Sequence, residues 1–374
     1  MLLLSGHDTQ GGITNFIGSL RAGLEAGGQT CRSAALYQAF ISQPGAYEQV
    51  LVCKRQMSPL DYAGAVFRLL RLVLRERPAA VVTVMPLAGV AAGLVSLLTG
   101  TPVIVTHHSP YRDNGRIVRW LDRMVGGLGG YRQIVCVSQA VADSFAGHSK
   151  ACRAPLRVIA NGVAEVPPAM GRAQCFARFG LPADRSVVLM AGRLARQKNV
   201  LTAVKAVARL EGIALALAGD GPLREEVRQL AQQLGVAERV HLLGHLDHHD
   251  VVDLTFACDA FVQISFFEGQ SLALLDAVRA GTPIVVSDIA VQREVIKTPI
   301  GELAGVTCDP QDADDVARAI AELLRDPARH QQLRAQLASR VRSEAQMVAD
   351  YRELLQPLLG QQAHSSVAWE GATR

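Results

Sequence analysis

Aromatic residues are scarce in this chain: two Trp, six Tyr and ten Phe make up 5% of its 374 residues. So sparse a set offers no run of alternating aromatic and basic side chains on which bases could stack, and no nucleic-acid-binding motif replaces it, so no nucleic-acid partner is expected. Cysteine is present but unpaired in pattern. The seven residues form no C-x-x-C pair and no metal-ligand spacing, and several lie in apolar runs, as small buried hydrophobes do in a reducing compartment. The opening MLLLSGHD has neither the basic region nor the long apolar run of a signal peptide, which points to a cytoplasmic place. Charge is also missing, altogether, from Pro78 to Thr106. An uncharged stretch of that length raises a transmembrane reading. Against it, Pro86, Gly89, Gly93 and the Thr99 to Pro102 punctuation cut the stretch into a strand, a helix and a strand, each of a length that suits a buried α/β core.

What is present is an α/β pattern. Hydrophobic residues make up 49% and charged residues 19%, the balance of a globular protein with substantial cores, and the length suits two domains. Strand-like runs rich in Ala, Val and Leu alternate with helical periods, which favours parallel sheets covered by helices. The net charge of +4 is unevenly spread. Residues 1–165 hold 16 Lys and Arg against 9 Asp and Glu, and the remainder holds 22 against 25. A basic first half suits an anionic partner, such as a membrane surface or a phosphate-bearing acceptor; a chance excess of solvated charge reads the same way.

The most informative stretch is ISFFEGQSLALLDAVRAGTPI, Ile264 to Ile284. An apolar strand is broken at Ser265 to Gly269, and a helical pattern follows and stops at Gly281 and Pro283. Glu268 lies at the turn, with Asp276 about two helical turns later. Between them, the start of the helix at Gly269, Gln270, Ser271 and Leu272 offers free N–H groups to an anion. A carboxylate, a helix N-terminus and a second carboxylate suit a ligand made of a sugar, a phosphate and a ribose. About seventy residues earlier stands Gly192-Arg193-Leu194-Ala195-Arg196-Gln197-Lys198-Asn199. There the cations Arg193 and Lys198 sit beside a helix start and can hold a diphosphate without a metal ion, although an Arg and a Lys in a surface loop, read alone, are ordinarily solvated charges. Gly11 and Gly12 precede the first helical pattern and allow close backbone approach, although an ordinary strand-to-helix turn would look alike. His107 and His108 follow the strand Val103 to Thr106, where ligand crevices of α/β sheets form.

The Glu268 to Asp276 stretch resembles the Glu-x7-Glu signature of retaining glycosyltransferases with the two-domain GT-B fold, in the large family-four group. Asp276 stands where that family has Glu, a reach shorter by about 1.5 Å. The resemblance extends to the glycine-rich loop at Gly11 and Gly12, the Asn161-Gly162-Val163 turn, the G-R-L-x-x-x-K-N loop and the Gly219-Asp220-Gly221-Pro222 turn. It implies an α/β protein of two Rossmann-like doubly wound domains facing across a cleft. Residues 1–165 would form the acceptor-side domain and 166–345 the nucleotide-sugar domain, with a helix at 346–360 crossing back and a tail at 361–374. It further implies a nucleotide diphosphate sugar as donor substrate and no separate cofactor or metal. His108 and Glu268 would orient the sugar, Arg193 and Lys198 would hold the leaving diphosphate, Asp276 would take ribose hydroxyls, and Gly192 and Gly244 would lie against phosphate and base. A lipid-linked or phosphorylated glycan acceptor at the inner membrane face fits the basic first half. Alternatives of other classes are a non-catalytic sugar-nucleotide-binding subunit of a polysaccharide assembly complex, a sugar-nucleotide epimerase and a phosphorylase.

Two segments stay open on sequence. Arg116 to Met124 spaces Arg116, Arg119, Trp120 and Arg123 helically, as an interfacial helix or as a solvated face with Trp120 turned into the core. The segment His245-Leu246-Asp247-His248-His249-Asp250 could hold a metal, or could be a loop and helix start with Asp250 as N-cap.

Overall fold

Every pairing between strands among the described residues is parallel. This is expected of strands as uniformly apolar as VVTV and IALALA, which can be buried on both faces only under helices. The computed structural model describes residues 1–8, 11–38, 47–54, 56–145, 152–326, 328 and 331–370, with side chains to 359. The chain forms two units, Met1–Gly162 with the segment from Ser343 onward, and Val163–Arg342.

The first unit runs β1 (Leu2–Asp8), α1 (Gly12–Ala26), β2 (Arg32–Gln38), β3 (Gln49–Val52), α2 (Pro59–Glu76), β4 (Val81–Val84), α3 (Pro86–Thr99), β5 (Val103–His107), α4 (Arg116–Gly127), β6 (Gln133–Cys136), α5 (Gln139–Ser144) and β7 (Leu156–Val158). Its seven strands lie in the order β3-β2-β1-β4-β5-β6-β7. The uncharged stretch is thus β4, α3 and β5, and no described helix is long and apolar enough to cross a membrane. The first strand reaches Asp8 because its pairing with β2 continues through His7 and Asp8, whereas β4 pairs it only from Leu2 to Ser5.

The second unit continues with α6 (Arg172–Phe179), β8 (Ser186–Ala191), α7 (Val200–Ala208), β9 (Ile213–Ala218), α8 (Arg224–Gln233), β10 (Val240–Gly244), α9 (His248–Ala257), β11 (Ala260–Gln263), α10 (Leu272–Ala280), β12 (Ile284–Ser287), α11 (Ala290–Ile296), β13 (Val306–Cys308), α12 (Ala313–Arg325) and α13 (Gln331–Ala338). Its sheet order is β10-β9-β8-β11-β12-β13. Strand order reverses between β1 and β4 in one sheet and between β8 and β11 in the other. At such a switch point the two loops leaving the carboxyl ends diverge and open a crevice.

The last helix, α14 (Glu344–Glu370), belongs to the first unit. Tyr351 is fully buried, with its hydroxyl 3.3 Å from Thr106 Oγ1, and Ser19 of α1 donates to Glu344 at 2.6 Å. The helix runs beyond Gly360, where the sequence pattern places the start of a tail. Pro357 lies inside it, and the Gln- and Ala-containing stretch that follows has the propensity to continue the helix. The end of that tail, 371–374, lies outside the described residues.

Candidate functional site

The site is built where β8 and β11 part. Gly192 directly follows β8 with φ 137°, a conformation costly for any residue with a Cβ. The chain then turns through a short 3-10 segment, Arg196–Lys198. Asn199 closes this turn in the left-handed region at φ 57°. Its side-chain amide donates to Pro310 O at 2.5 Å, and its Oδ1 accepts from Thr202 Oγ1 at 2.7 Å. The Asn of the G-R-L-x-x-x-K-N loop is therefore an anchor for the turn, and the Lys before it is the group the turn presents.

What Lys198 meets is Glu268. Its Nζ donates to Glu268 Oε1 at 2.6 Å, with the lysine side chain 17% and the carboxylate side chain 8% exposed. Gln197 brings the two loops into register: its carbonyl accepts from Phe266 N at 2.9 Å, and its Nε2 donates to Phe267 O at 3.0 Å. Nothing in the sequence marked Gln197 for this. Arg193 is exposed at the start of the same loop.

Three neighbouring loops are stitched backbone to backbone. Gly192 N donates to Ala218 O at 2.9 Å, Leu194 N to Asp220 O at 3.0 Å, and Gly219 N to Gly244 O at 2.7 Å. Gly219 has φ 151°, and a Cβ there would land on the carbonyl oxygen of Gly192. Gly244, also at positive φ, ends β10 beside it.

Helix α10 starts at Leu272 with Ser271 as N-cap. The Ser271 hydroxyl accepts from Leu274 N at 3.4 Å and donates to Gln263 Oε1 at 2.9 Å. The cap leaves the N–H groups of Leu272 and Ala273 as the open donors of the helix. Gly269 is buried and Gln270 half-buried in the turn before it. Asp276 is 5% exposed. Its Oδ2 lies 3.0 Å from His248 Nε2, at the start of α9. The two carboxylates read as a pair thus have separate partners, Lys198 for Glu268 and His248 for Asp276.

His248 comes from the segment whose metal reading stayed open, and three of that segment's side chains, Asp247, His248 and Asp250, have different neighbours. Asp247, not Asp250, is the N-cap of α9, accepting from Asp250 N at 2.8 Å. The helix begins three residues earlier than expected, which puts Asp250 at N3. There it is buried and pairs with Arg178 at 2.8 Å. No group of three His, Cys, Asp or Glu able to hold a metal occurs among the described residues.

In the first unit, Gly11 is the N-cap of α1 at φ 130°, and Gly12 is the first helical residue; both are exposed. His108 follows β5 directly. Its ring meets Phe16 of α1 edge-on at 4.6 Å, and Phe16 meets Tyr351 of α14 at 5.8 Å. Burial, with His107 adjacent, lowers the His108 pKa to about 3, so the ring is neutral at physiological pH. His108 Nε2 is covered and has no protein hydrogen-bond partner among the described residues. His107, the other candidate, is 1% exposed and packs on Phe145 at 4.3 Å.

A family profile described as "Glycosyl transferases group 1" matches residues 172–343, and one described as "Glycosyltransferase Family 4" matches residues 11–165. The chain belongs to this glycosyltransferase family, with the GT-B fold of two parallel-sheet α/β domains. It is 29% identical over 266 residues to 2-deoxystreptamine N-acetyl-D-glucosaminyltransferase of Streptomyces fradiae, covering 63% of each chain. It is 34% identical over 209 residues to the lipopolysaccharide core biosynthesis glycosyltransferase LpsE of Rhizobium meliloti, covering 55% of this chain and 57% of that one. Among solved structures, Anabaena HepE in complex with UDP-glucose superposes with a TM-score of 0.77 at 18% identity, over 95% of this chain and 99% of that one. The matches span 34% to 63% of the length of the first curated relatives.

Proposed function

We propose that the protein moves a sugar from a nucleotide diphosphate sugar to an acceptor hydroxyl with retention of anomeric configuration. The observation that carries this reading is the Lys198–Glu268 pair held at the β8/β11 switch point. It sets a cation where a diphosphate would leave and a carboxylate where the sugar would lie. In the reaction the bond from the anomeric carbon to the phosphate oxygen breaks and the bond to the acceptor oxygen forms on the same face. The acceptor proton passes to the departing phosphate oxygen. Lys198 and Arg193 take up the developing negative charge, and the N–H groups at the start of α10 add to it. Glu268 and neutral His108 orient the sugar hydroxyls, Asp276 accepts from the ribose, and Gly192 and Gly244 let phosphate and base approach the backbone. In this scheme Glu268 and Asp276 are not an acid and base pair of the glycosidase kind.

A UDP-sugar is the first donor to test, since UDP-glucose is the ligand of the Anabaena neighbour. An acceptor in cell-surface polysaccharide or glycolipid synthesis, lipid-linked or phosphorylated, is supported by the lipopolysaccharide relative and by the basic first unit. A cytoplasmic enzyme working at the inner membrane face follows from that acceptor. The test is thermal unfolding of the purified protein with UDP-, GDP-, ADP- and dTDP-glucose without added metal. A ligand at a hundred times its Kd stabilises the folded state by about 2.7 kcal/mol, so one nucleotide series stands out, and Lys198→Ala loses that shift. If no series shifts the transition, the donor reading fails. If one shifts it and no acceptor or water ever takes the sugar, the protein is a non-catalytic sugar-nucleotide-binding subunit.

A further inference from the structure

Large apolar side chains exposed to solvent are not scattered over this protein. Of the fourteen among the described residues, nine lie on or just beside α2, α3 and α4 of the first unit. A single exposed leucine needs no explanation, but a concentration of this kind marks a contact surface. On α2 the exposed residues Leu60, Phe67 and Leu74 (84%, 59% and 56%) repeat every seventh position, on one face. On α4 the stripe is Ile117, Trp120 and Met124 (75%, 60% and 45%), and Leu128, just past its end, extends it. Trp120 is therefore not turned into the core. Between them, α3 carries no charge and ends in exposed Leu97 and Leu98.

The three helices form one layer. Each links strands in the direction β3 to β4 to β5 to β6, so right-handed crossovers put all of them on the same side of the sheet. The charges between the apolar residues have one sign. Arg71 and Arg75 are exposed on α2, and Arg112, Arg116 and Arg123 on and before α4. Most carboxylates nearby are spent. Asp122 is buried and accepts from Tyr131 at 2.7 Å, Asp61 serves the α2 capping box and Lys54, and Glu76 pairs with Arg75 and Arg32. Asp113 alone stays exposed beside α4.

We propose that the outer face of α2, α3 and α4 docks on a lipid bilayer bearing anionic headgroups, with Ile117, Trp120, Phe67 and Leu98 entering the interface and the arginines meeting phosphates. Apolar side chains set singly among arginines along a helix layer suit a bilayer. Arginine stems lie along the apolar boundary with their heads at the headgroups, while Trp takes the interfacial level. A protein partner of matching chemistry would instead need a closely packed apolar centre. The inference stands on the first unit alone and does not depend on the donor site.

The test uses the full chain with Trp369→Phe, which leaves Trp120 as the sole tryptophan. Phosphatidylcholine vesicles are compared with vesicles enriched in phosphatidylglycerol. The expected result is co-sedimentation with the anionic vesicles, weakened by salt, with a blue shift of Trp120 emission. Arg116→Gln with Arg123→Gln lowers partitioning by roughly 25-fold, at about fivefold per arginine. Ile117→Glu abolishes the blue shift while thermal unfolding shows the fold intact. The proposal is overturned by absence of binding, by equal binding to both kinds of vesicle, or by binding that these substitutions leave unchanged. It also fails if the protein is a dimer that Ile117→Glu dissociates, since a second copy then covers the face.

Discussion

The two sheets end in different ways. At the carboxyl edge of the second sheet, Gly244 closes β10 and Gly219 and Gly192 directly follow the adjacent strands β9 and β8, all at positive φ, and their loops are bonded main chain to main chain. At the carboxyl edge of the first sheet, β5 delivers two histidines into aromatic packing. His107 lies on Phe145, and His108 on a Phe16 that is itself set against Tyr351. One edge is shaped by backbone conformation and the other by side chains that meet from distant parts of the chain. The first kind of edge fails when a Cβ is added, and the second when its burial is disturbed.

The largest effect should come from Gly219→Ala. The new methyl would strike main-chain atoms of Gly192, which cannot rotate away, and φ 151° is itself strained for alanine. We expect a loss of about 3 kcal/mol or more in denaturant unfolding of the second unit, together with loss of the nucleotide-sugar thermal shift. Unchanged stability would mean that the three loops are not one stitched body.

The same contrast explains what could be read before the structure. Gly192, Lys198, Asn199 and Gly219 fall in short local patterns because each loop's backbone dictates its own residues, and these patterns reported the strand ends and the cation that faces Glu268. The strand-helix alternation was legible for the same reason, since each element carries its own period. The partners were not legible. Lys198 meets Glu268 across 70 positions, His248 meets Asp276 across 28, and Thr106 meets Tyr351 across 245. Spacing says nothing of such meetings. Asp247 and Asp250, three residues apart, are both good caps on sequence, and what separates them is the bond from Asp250 N to Asp247 Oδ1 together with the pairing of Asp250 with Arg178. The exposure of Trp120 was likewise undecided by a helical period that fits either face.

A smaller effect tests the packed edge. His108 in the folded protein stays neutral down to about pH 3, whereas in the unfolded chain it protonates near 6.5. Between those values the unfolded state binds the extra proton, so this contribution is fully present above pH 6.5 and is lost as pH falls toward 3. The slope is at most about 1.4 kcal/mol per pH unit. His108→Gln should flatten that part of the stability profile relative to the parent, measured by urea unfolding between pH 4 and 7. An unchanged profile would show that His108 titrates as an exposed histidine does.

The smallest effect concerns Asp276 and tests whether its shorter reach belongs with His248. A histidine 3.0 Å away holds one carboxylate oxygen and leaves the other to a ligand. If that arrangement sets the carboxylate for ribose, then His248→Gln weakens nucleotide-sugar binding by about fivefold, the value of one hydrogen bond of about 1 kcal/mol. Asp276→Glu, though it restores the residue of the family signature, also weakens binding, because the longer side chain is pressed against the imidazole. Adding His248→Gln to Asp276→Glu relieves that pressure, so the double variant binds better than the product of the single effects predicts, by a coupling above about 0.5 kcal/mol. Calorimetric titration of the four proteins with the donor decides it. Strict additivity would separate His248 from the donor site and leave Asp276 to act alone.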